Sequence, residues 1–215
     1  MTTKFSCLNI DLTFGFFGVI MATKGDITRE KILEAARQLF NTKGFGATSI
    51  NDLVSASGLQ KGSIYFHFPG KYAIALTVLE EASNSFMVFL ADSLTGESPG
   101  LCLENFFCSV MEKHLASGFV GGCIFGNTAL EMGDSDRRYA EIVDQLFDRW
   151  IAKIEEFVVA AQERGELRTD ITAKALARNI VAVIEGGIMM SRVRKDEGPL
   201  RECLEVLRKT LELKG

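Results

Sequence analysis

The sequence predicts an all-α protein, with a small N-terminal three-helix unit followed by a larger helical domain. Three observations carry that prediction. Three prolines against sixteen phenylalanines in 215 residues leave long stretches free of the ring that breaks helix interiors. Apolar residues recur every three or four positions from Thr28 to the end of the chain. No segment alternates apolar and polar residues as a half-buried strand does, and no internal repeat is visible. A hydrophobic content of 47% supplies enough apolar surface for a packed core, which excludes a disordered chain.

The elements follow in order. From Thr28, Ile32, Leu33, Ala36, Leu39 and Phe40 fall on one helix face, and Gly44 supplies the stop. Thr48 or Ser49 can cap a short helix with Ile50, Leu53 and Val54 inward, broken at Gly58. A second short helix runs from Leu59 to Phe68, where Pro69-Gly70 marks a boundary. A long helix follows, with Ala73, Leu76, Val78, Leu79, Phe86, Phe89 and Leu90 as its apolar positions. Beyond the linker 95–100, helices are predicted over about 100–117, 124–132, 135–164, 172–194 and 199–213. The organisation expected is therefore an apolar extension over 1–21, a head over 22–75 and a helical body over 76–215.

Charge divides along the same line. Residues 22–75 carry seven basic side chains (Lys24, Arg29, Lys31, Arg37, Lys43, Lys61, Lys71) against four acidic ones (Asp26, Glu30, Glu34, Asp52). Residues 76–215 carry 16 Lys/Arg against 23 Asp/Glu. A basic head on an acidic body suits contact with a polyanion at one end, although so small an excess also fits ordinary charge scatter. Five cysteines (Cys7, Cys102, Cys108, Cys123, Cys203) form no CxxC pair, so neither a disulfide framework, a zinc site nor any other metal or cofactor is implied. Reduced thiols point to a cytoplasmic protein.

The stretch Leu8–Ile20 is apolar but contains Asp11, lacks an A-x-A cleavage site and is too short to cross a bilayer. Met21 precedes a conventional start, so residues 1–20 read as a misassigned beginning. If translated, their phenylalanines need covering. No membrane partner is expected. Enzyme chemistry is poorly served: the two histidines, His67 and His114, belong to no HExxH, and Walker, Rossmann and nucleophile-elbow patterns are missing.

The informative stretch is 48–71, TSINDLVSASGLQKGSIYFHFPGK. Two short helices joined at Ser57-Gly58 have the geometry that lays one helix across a DNA backbone and the next in the major groove. Ile50, Leu53, Val54, Leu59 and Ile64 would fix the angle between them. The second helix then projects Gln60, Lys61, Gly62 and Ser63 from its N-terminus, where free N–H groups favour phosphate. Gln60 can pair with adenine, Lys61 can reach guanine or phosphate, and Gly62 allows close approach. Tyr65 can donate to phosphate, while Phe66 can meet a thymine methyl or fill core. His67, Lys71, Thr48 and Ser49 offer further polar contacts. Taken singly, Tyr65 and Phe68 also fit plain burial and Lys61 plain solvation; the combination at this spacing makes the case.

The run TREKILEAARQLFNTKGFGATSINDLVSASGLQKGSIYFHFPGK resembles the DNA-binding head of the TetR/AcrR family, strongly over residues 27–75 and diffusely beyond. The resemblance implies phosphate contact by Tyr65, His67 and Lys71 and base reading around Gln60–Ser63. It also implies a homodimer bound to operator DNA and answering to a small-molecule effector. Three positions depart from the family pattern: Gln60 where a small hydroxyl is frequent, Gly70 for a frequent serine, and Tyr72 where an acidic residue is common.

For the body, GGCIFGNTALEM (121–132) resembles the short sixth helix of several family members, including the branch that contains the N-ethylmaleimide reductase repressor. That likeness makes Cys123 a thiol switch for electrophiles or oxidants, against the plainer reading of a small buried residue. A noncovalent effector pocket, as the family architecture implies, would be lined by Phe86, Phe106, Met111, Phe125, Asn127, Trp150, Phe157 and Met189. Such aromatic and methionine positions also suit ordinary core, and Asn127 also suits a helix-to-helix hydrogen bond. The apolar faces of the last two helices, Leu176, Ile180, Val183, Ile184, Gly187 and Ile188, then Leu200, Leu204, Leu207 and Leu211, resemble the family's four-helix dimer interface. Burial within one subunit is the competing reading. A helical interaction module without specific DNA binding stands as the remaining rival.

Overall fold

A computed structural model describes residues 23–213; the apolar extension lies outside the described residues. These form α1 (Lys24–Thr42), α2 (Ile50–Ser57), α3 (Lys61–His67), α4 (Lys71–Ser93), α5 (Pro99–Ala116), α6 (Ile124–Met132), α7 (Arg137–Glu163), α8 (Ala173–Arg194) and α9 (Gly198–Leu211). No strand occurs among them. The first helix starts four residues before Thr28 because Thr23 and Asp26 form a capping box, with Asp26 N–H donating to Thr23 Oγ1 at 3.2 Å and Thr23 N–H to Asp26 Oδ2 at 2.9 Å.

Two cores meet along α4, which runs unbroken through residue 75. In the head, Ile32, Leu33 and Ala36 of α1 close on Leu53, Ile64 and Ile74, all fully buried. That core continues into the body through Phe125 of α6 and Tyr139, Val143 and Leu146 of α7. The second core gathers Leu90, Leu103, Phe106, Phe107, Trp150 and Ile154 with the inner faces of α8 and α9. Phe86, Met87, Cys123 and Phe147 touch both and stay only partly buried. By length and composition α4 is apolar enough to cross a membrane, but its Ile74, Val78, Leu79 and Leu90 are consumed by these cores.

Charged clamps tie the layers. Arg29 and Arg37 of α1 both reach Glu81 of α4, and Arg208 of α9 grips Glu104 of α5 with both carboxylate oxygens at 2.7–2.9 Å.

His114 closes α5 against the next turn, its ring stacked on Phe119 at 6.4 Å. Burial, with the Lys113 charge adding to it, lowers the imidazole pKa from 6.5 to about 4. The unfolded chain therefore binds this proton between those pH values while the folded chain does not. Stability is fully present above pH 6.5 and falls as the pH drops toward 4, by about 3 kcal/mol at most. Denaturant unfolding down this range is expected to show the loss, and His114→Phe to flatten it relative to the parent; parallel curves would assign the acid sensitivity elsewhere.

Candidate nucleic-acid interface

The head owes its shape to local chemistry. Ser49 caps α2: Asp52 N–H donates to Ser49 Oγ at 3.1 Å, and Ser49 N–H donates back to Asp52 Oδ2 at 2.7 Å. Lys43 stands 2.8 Å from the same carboxylate; together with Ser49 it holds Asp52 well below the usual carboxylate range. Gly58 ends α2 at φ 67°, in the left-handed region where a side chain is disfavoured. Leu59 N–H then donates to Ser57 Oγ at 3.3 Å, and α3 leaves at an angle fixed by Leu53 and Ile64.

What α3 presents outward is a row of available groups. Gln60 is its N-cap but makes no side-chain cap bond, so its amide is free for another partner. Lys61 and Gly62 are exposed and Ser63 half-buried; a Cβ added at Gly62 would meet nothing within 4 Å, so open space, not crowding, surrounds it. Tyr65 is 48% and Phe66 84% exposed, the latter edge-on to the half-buried His67 at 5.1 Å. Phe66 thus contributes nothing to the core, whereas Phe68 is buried. An exposed phenylalanine beside a lysine, a glutamine and a tyrosine on one short helix is a surface built for apolar and polar contact together.

Three expected contacts are engaged elsewhere. Thr48 is 1% exposed, with its hydroxyl donating to Gly44 O at 2.6 Å; it shapes the α1–α2 turn and does not face solvent. The Ser49 hydroxyl donates to Asp52 at 2.7 Å as well as capping α2. Lys71 turns inward, its ammonium donating to Phe45 O at 2.7 Å and Thr48 O at 2.8 Å and lying 4.2 Å from the centre of the Phe45 ring. Burial lowers the Lys71 pKa and the nearby Glu131 charge opposes that shift. Turn carbonyls that need partners beyond the turn's own hydrogen bonds take this cation.

The body groups sort differently from expectation as well. Phe106 and Phe125 are buried core. Phe157 is half-buried on another face, in a cleft of about 290 Å3 with Pro99 and Glu156, while Met189 is 54% exposed on the outer side of α8. Asn127 donates to Asn41 Oδ1 and to Gly121 O, both at 2.7 Å, and accepts from Arg192; it joins head to body. Phe86, Met111 and Cys123 remain half-buried against the second core, with the Phe86 ring 4.8 Å from that of Trp150. The Trp150 indole N–H and Glu185 Oε1 are buried without a hydrogen-bond partner among the described residues. Burial and the neighbouring Glu185 carboxylate push the Cys123 thiol pKa up, the direction opposite to the one a thiol switch uses.

The residues expected at a dimer interface are also inside the subunit. Leu176, Ile180, Ile184, Gly187 and Ile188 of α8 face Leu200, Leu204, Leu207 and Leu211 of α9 or the body, all buried, with Val183 half-buried. The two stripes satisfy one another. Sequence periodicity locates an apolar face, not the chain that covers it.

Asn41, Glu131 and Arg192 escape the sequence reading, and Tyr72 enters it only as a departure from the family pattern. Tyr72 donates to Asp136 Oδ1 at 3.3 Å and packs edge-on against Tyr139, which is how α4 uses a ring where the family pattern has an acid. The sequence carried one signal, the glycines at 44, 46, 121 and 122, where a Cβ would crowd Glu131, Asn41 or Arg192.

A helix-turn-helix head with an outward-facing short helix, carried by a helical body, is the architecture of a DNA-binding regulator. Sequence comparison agrees over both parts. The profile of the bacterial regulatory proteins of the tetR family matches residues 32–78, and that of the tetracyclin repressor-like C-terminal domain matches residues 103–207. A TetR transcriptional regulator from Chloroflexus aurantiacus is 33% identical with a TM-score of 0.79, over 86% of this chain and 94% of that one. The HTH-type transcriptional repressor DhaR of Mycobacterium sp. strain GP1 is 27% identical over 83% of this chain and 89% of its own. The HTH-type transcriptional regulator LmrA of Bacillus subtilis is 29% identical over 80% and 90%. The chain belongs to the TetR family of transcriptional regulators.

Proposed function

We propose that the protein is a cytoplasmic repressor that binds a near-palindromic operator as a homodimer and is released by a small-molecule effector. The observation that carries the DNA contact is the uncovered row Gln60, Lys61, Gly62, Tyr65 and Phe66 on α3. Gln60 and Lys61 read base edges from the N-terminal end of the helix, Tyr65 and the half-buried His67 contact phosphate, and Phe66 packs on thymine methyl or sugar.

Lys61→Ala with Tyr65→Ala tests the interface, because neither side chain supports the head core. Mobility shifts across a salt series are expected to show weaker binding and a log–log salt slope reduced by about one for each phosphate no longer neutralised. An unchanged slope and affinity would remove these residues from the interface, and sequence-independent binding by the parent would favour a mere interaction module.

The effector is proposed to seat where the two cores meet, against Phe86, Met111 and Trp150. Support comes from the buried Trp150 N–H and Glu185 oxygen, since buried polar groups are normally paired and a ligand can complete them. Trp150 is the chain's single tryptophan, so its emission reports occupancy directly.

Dimerisation is assigned to the outer face of α8 and α9. Ala182, Gly186, Met189 and Val193 share one stripe of α8, with Met190 and, on α9, Val206 beside it. Met189, Met190, Val193 and Val206 are 44–81% exposed, more apolar surface than a lone subunit normally leaves in water.

A further inference from the structure

Between α1 and α2 the chain makes an irregular turn over residues 43–48, closed partly on itself by Thr48 N–H donating to Phe45 O and held from outside by two side chains. Its carbonyls at Phe45 and Thr48 accept from Lys71 of α4. Its amides face the other way: Phe45 N–H donates to Glu131 Oε2 at 2.9 Å and Gly46 N–H to Glu131 Oε1 at 2.6 Å. Glu131 stands at the end of α6, a body helix, so one carboxylate takes two successive amides of the head. Farther along α6, Asn127 holds Asn41 at the end of α1, and Arg192 of α8 braces both. The helices α2 and α3 pack on α1 and on each other; this turn is their covalent link to α1.

The turn is also shaped around the carboxylate. At Gly44, φ is +92°, and a Cβ there would stand 2.9 Å from Glu131 Oε2. Gly46 has no left-handed backbone, yet a Cβ there would stand 3.1 Å from Glu131 Oε1. The backbone at 46 would accept alanine; only the carboxylate objects.

We propose that Glu131 is a positioning residue for DNA recognition, the grip by which the body sets the orientation of α2 and α3. The inference rests on the reading of α3 as the DNA-contacting helix. A carboxylate fixed by two charge-assisted hydrogen bonds defines a direction as well as a distance. Because Glu131 is solvent-exposed, its contribution to global stability is small, and its effect falls on where α3 points. In a dimer that direction sets the separation of two recognition helices, and hence the preferred spacing of half-sites.

The probe is a labelled duplex recovered with the parent protein from random-sequence DNA, together with versions whose half-sites are moved by a base pair either way. Glu131→Ala, which removes both hydrogen bonds, is expected to bind the recovered duplex at least about tenfold more weakly, the lower end of what charge-assisted hydrogen bonds contribute. It should discriminate less between spacings, with thermal midpoint and helical content unchanged. Glu131→Gln, retaining one acceptor, should fall between. Gly46→Ala should weaken binding in the parent yet change nothing further in Glu131→Ala, because the two substitutions act on one interaction. Parent-like affinity and spacing preference in Glu131→Ala, or additive effects in the double variant, overturn the proposal. So does loss of helicity in Glu131→Ala with Gly46→Ala neutral. A parent protein that recovers no preferred duplex instead defeats the underlying reading of α3.

Discussion

The double substitution Met189→Glu with Val193→Glu is expected to yield a folded monomer that binds operator more than about 100-fold more weakly than the parent. The two positions lie one turn apart on the outer face of α8, 54% and 81% exposed, so charges there cost the isolated subunit little. In the proposed dimer the same stripe would meet its own copy across a two-fold axis, and each glutamate would face another in a water-poor seam, where unpaired charge is severely penalised. Specific binding relies on two recognition helices engaging together. A monomer forfeits the effective concentration that linkage supplies, commonly about 10²–10⁴-fold, while each head keeps its own full set of DNA-facing groups. Sedimentation velocity measures the first consequence and a mobility shift the second. A dimer that persists would place the interface on another face, and a monomer with parent-like affinity would remove dimerisation from recognition.

This expectation reverses the one drawn from periodicity, and the reason is general. The stripes through Leu176, Ile180 and Ile184 and through Leu200, Leu204 and Leu207 are the most hydrophobic faces of the last two helices, and they are buried against each other and the body. A stripe that strong belongs to folding; the proposed interface draws on the weaker set beside it, Ala182, Gly186 and Met190, which alone would pass as ordinary surface. The helices themselves were legible, because caps and stops such as Ser49, Gly44 and Gly58 act within a few residues. The α3 surface was legible for the same reason. Lys71 and Thr48 were misplaced because their partners are turn carbonyls, whose direction depends on φ and ψ through Phe45–Ala47 and leaves no mark in residue type. The Glu131 grip spans 86 residues to Phe45, beyond anything a local pattern encodes. Cys123 shows the same limit: its position before a helix suggests an activated thiol, but burial and then Glu185, contributed by a distant helix, push its pKa the other way.

Gly187→Ala is expected to destabilise the protein although alanine is the better helix former. On propensity alone, glycine to alanine inside α8 would gain up to ~1 kcal/mol. The site forbids that gain. A Cβ at Gly187 would lie 2.8 Å from Leu200 Cδ1, 3.2 Å from Leu200 Cα and 3.3 Å from Cys203 Cβ, and two of those atoms sit on or next to the α9 backbone, which cannot swing aside. Separating α8 from α9 would loosen the Leu200, Leu204 and Leu207 packing together, so a net loss of about 1–3 kcal/mol is expected, and more for Gly187→Val. For a chain of this length that lowers the thermal midpoint by roughly 2–4 °C per kcal/mol. Gly186 is the internal control: it is the neighbour in sequence, and a Cβ there meets nothing within 4 Å of its own subunit. In the Met189→Glu, Val193→Glu background, where the outer face is unpaired, Gly186→Ala should raise the midpoint while Gly187→Ala lowers it. Equal shifts would mean that helix propensity governs both sites and that α9 yields more readily than its contacts imply. Opposite shifts would locate the inner and outer faces of α8 one residue apart.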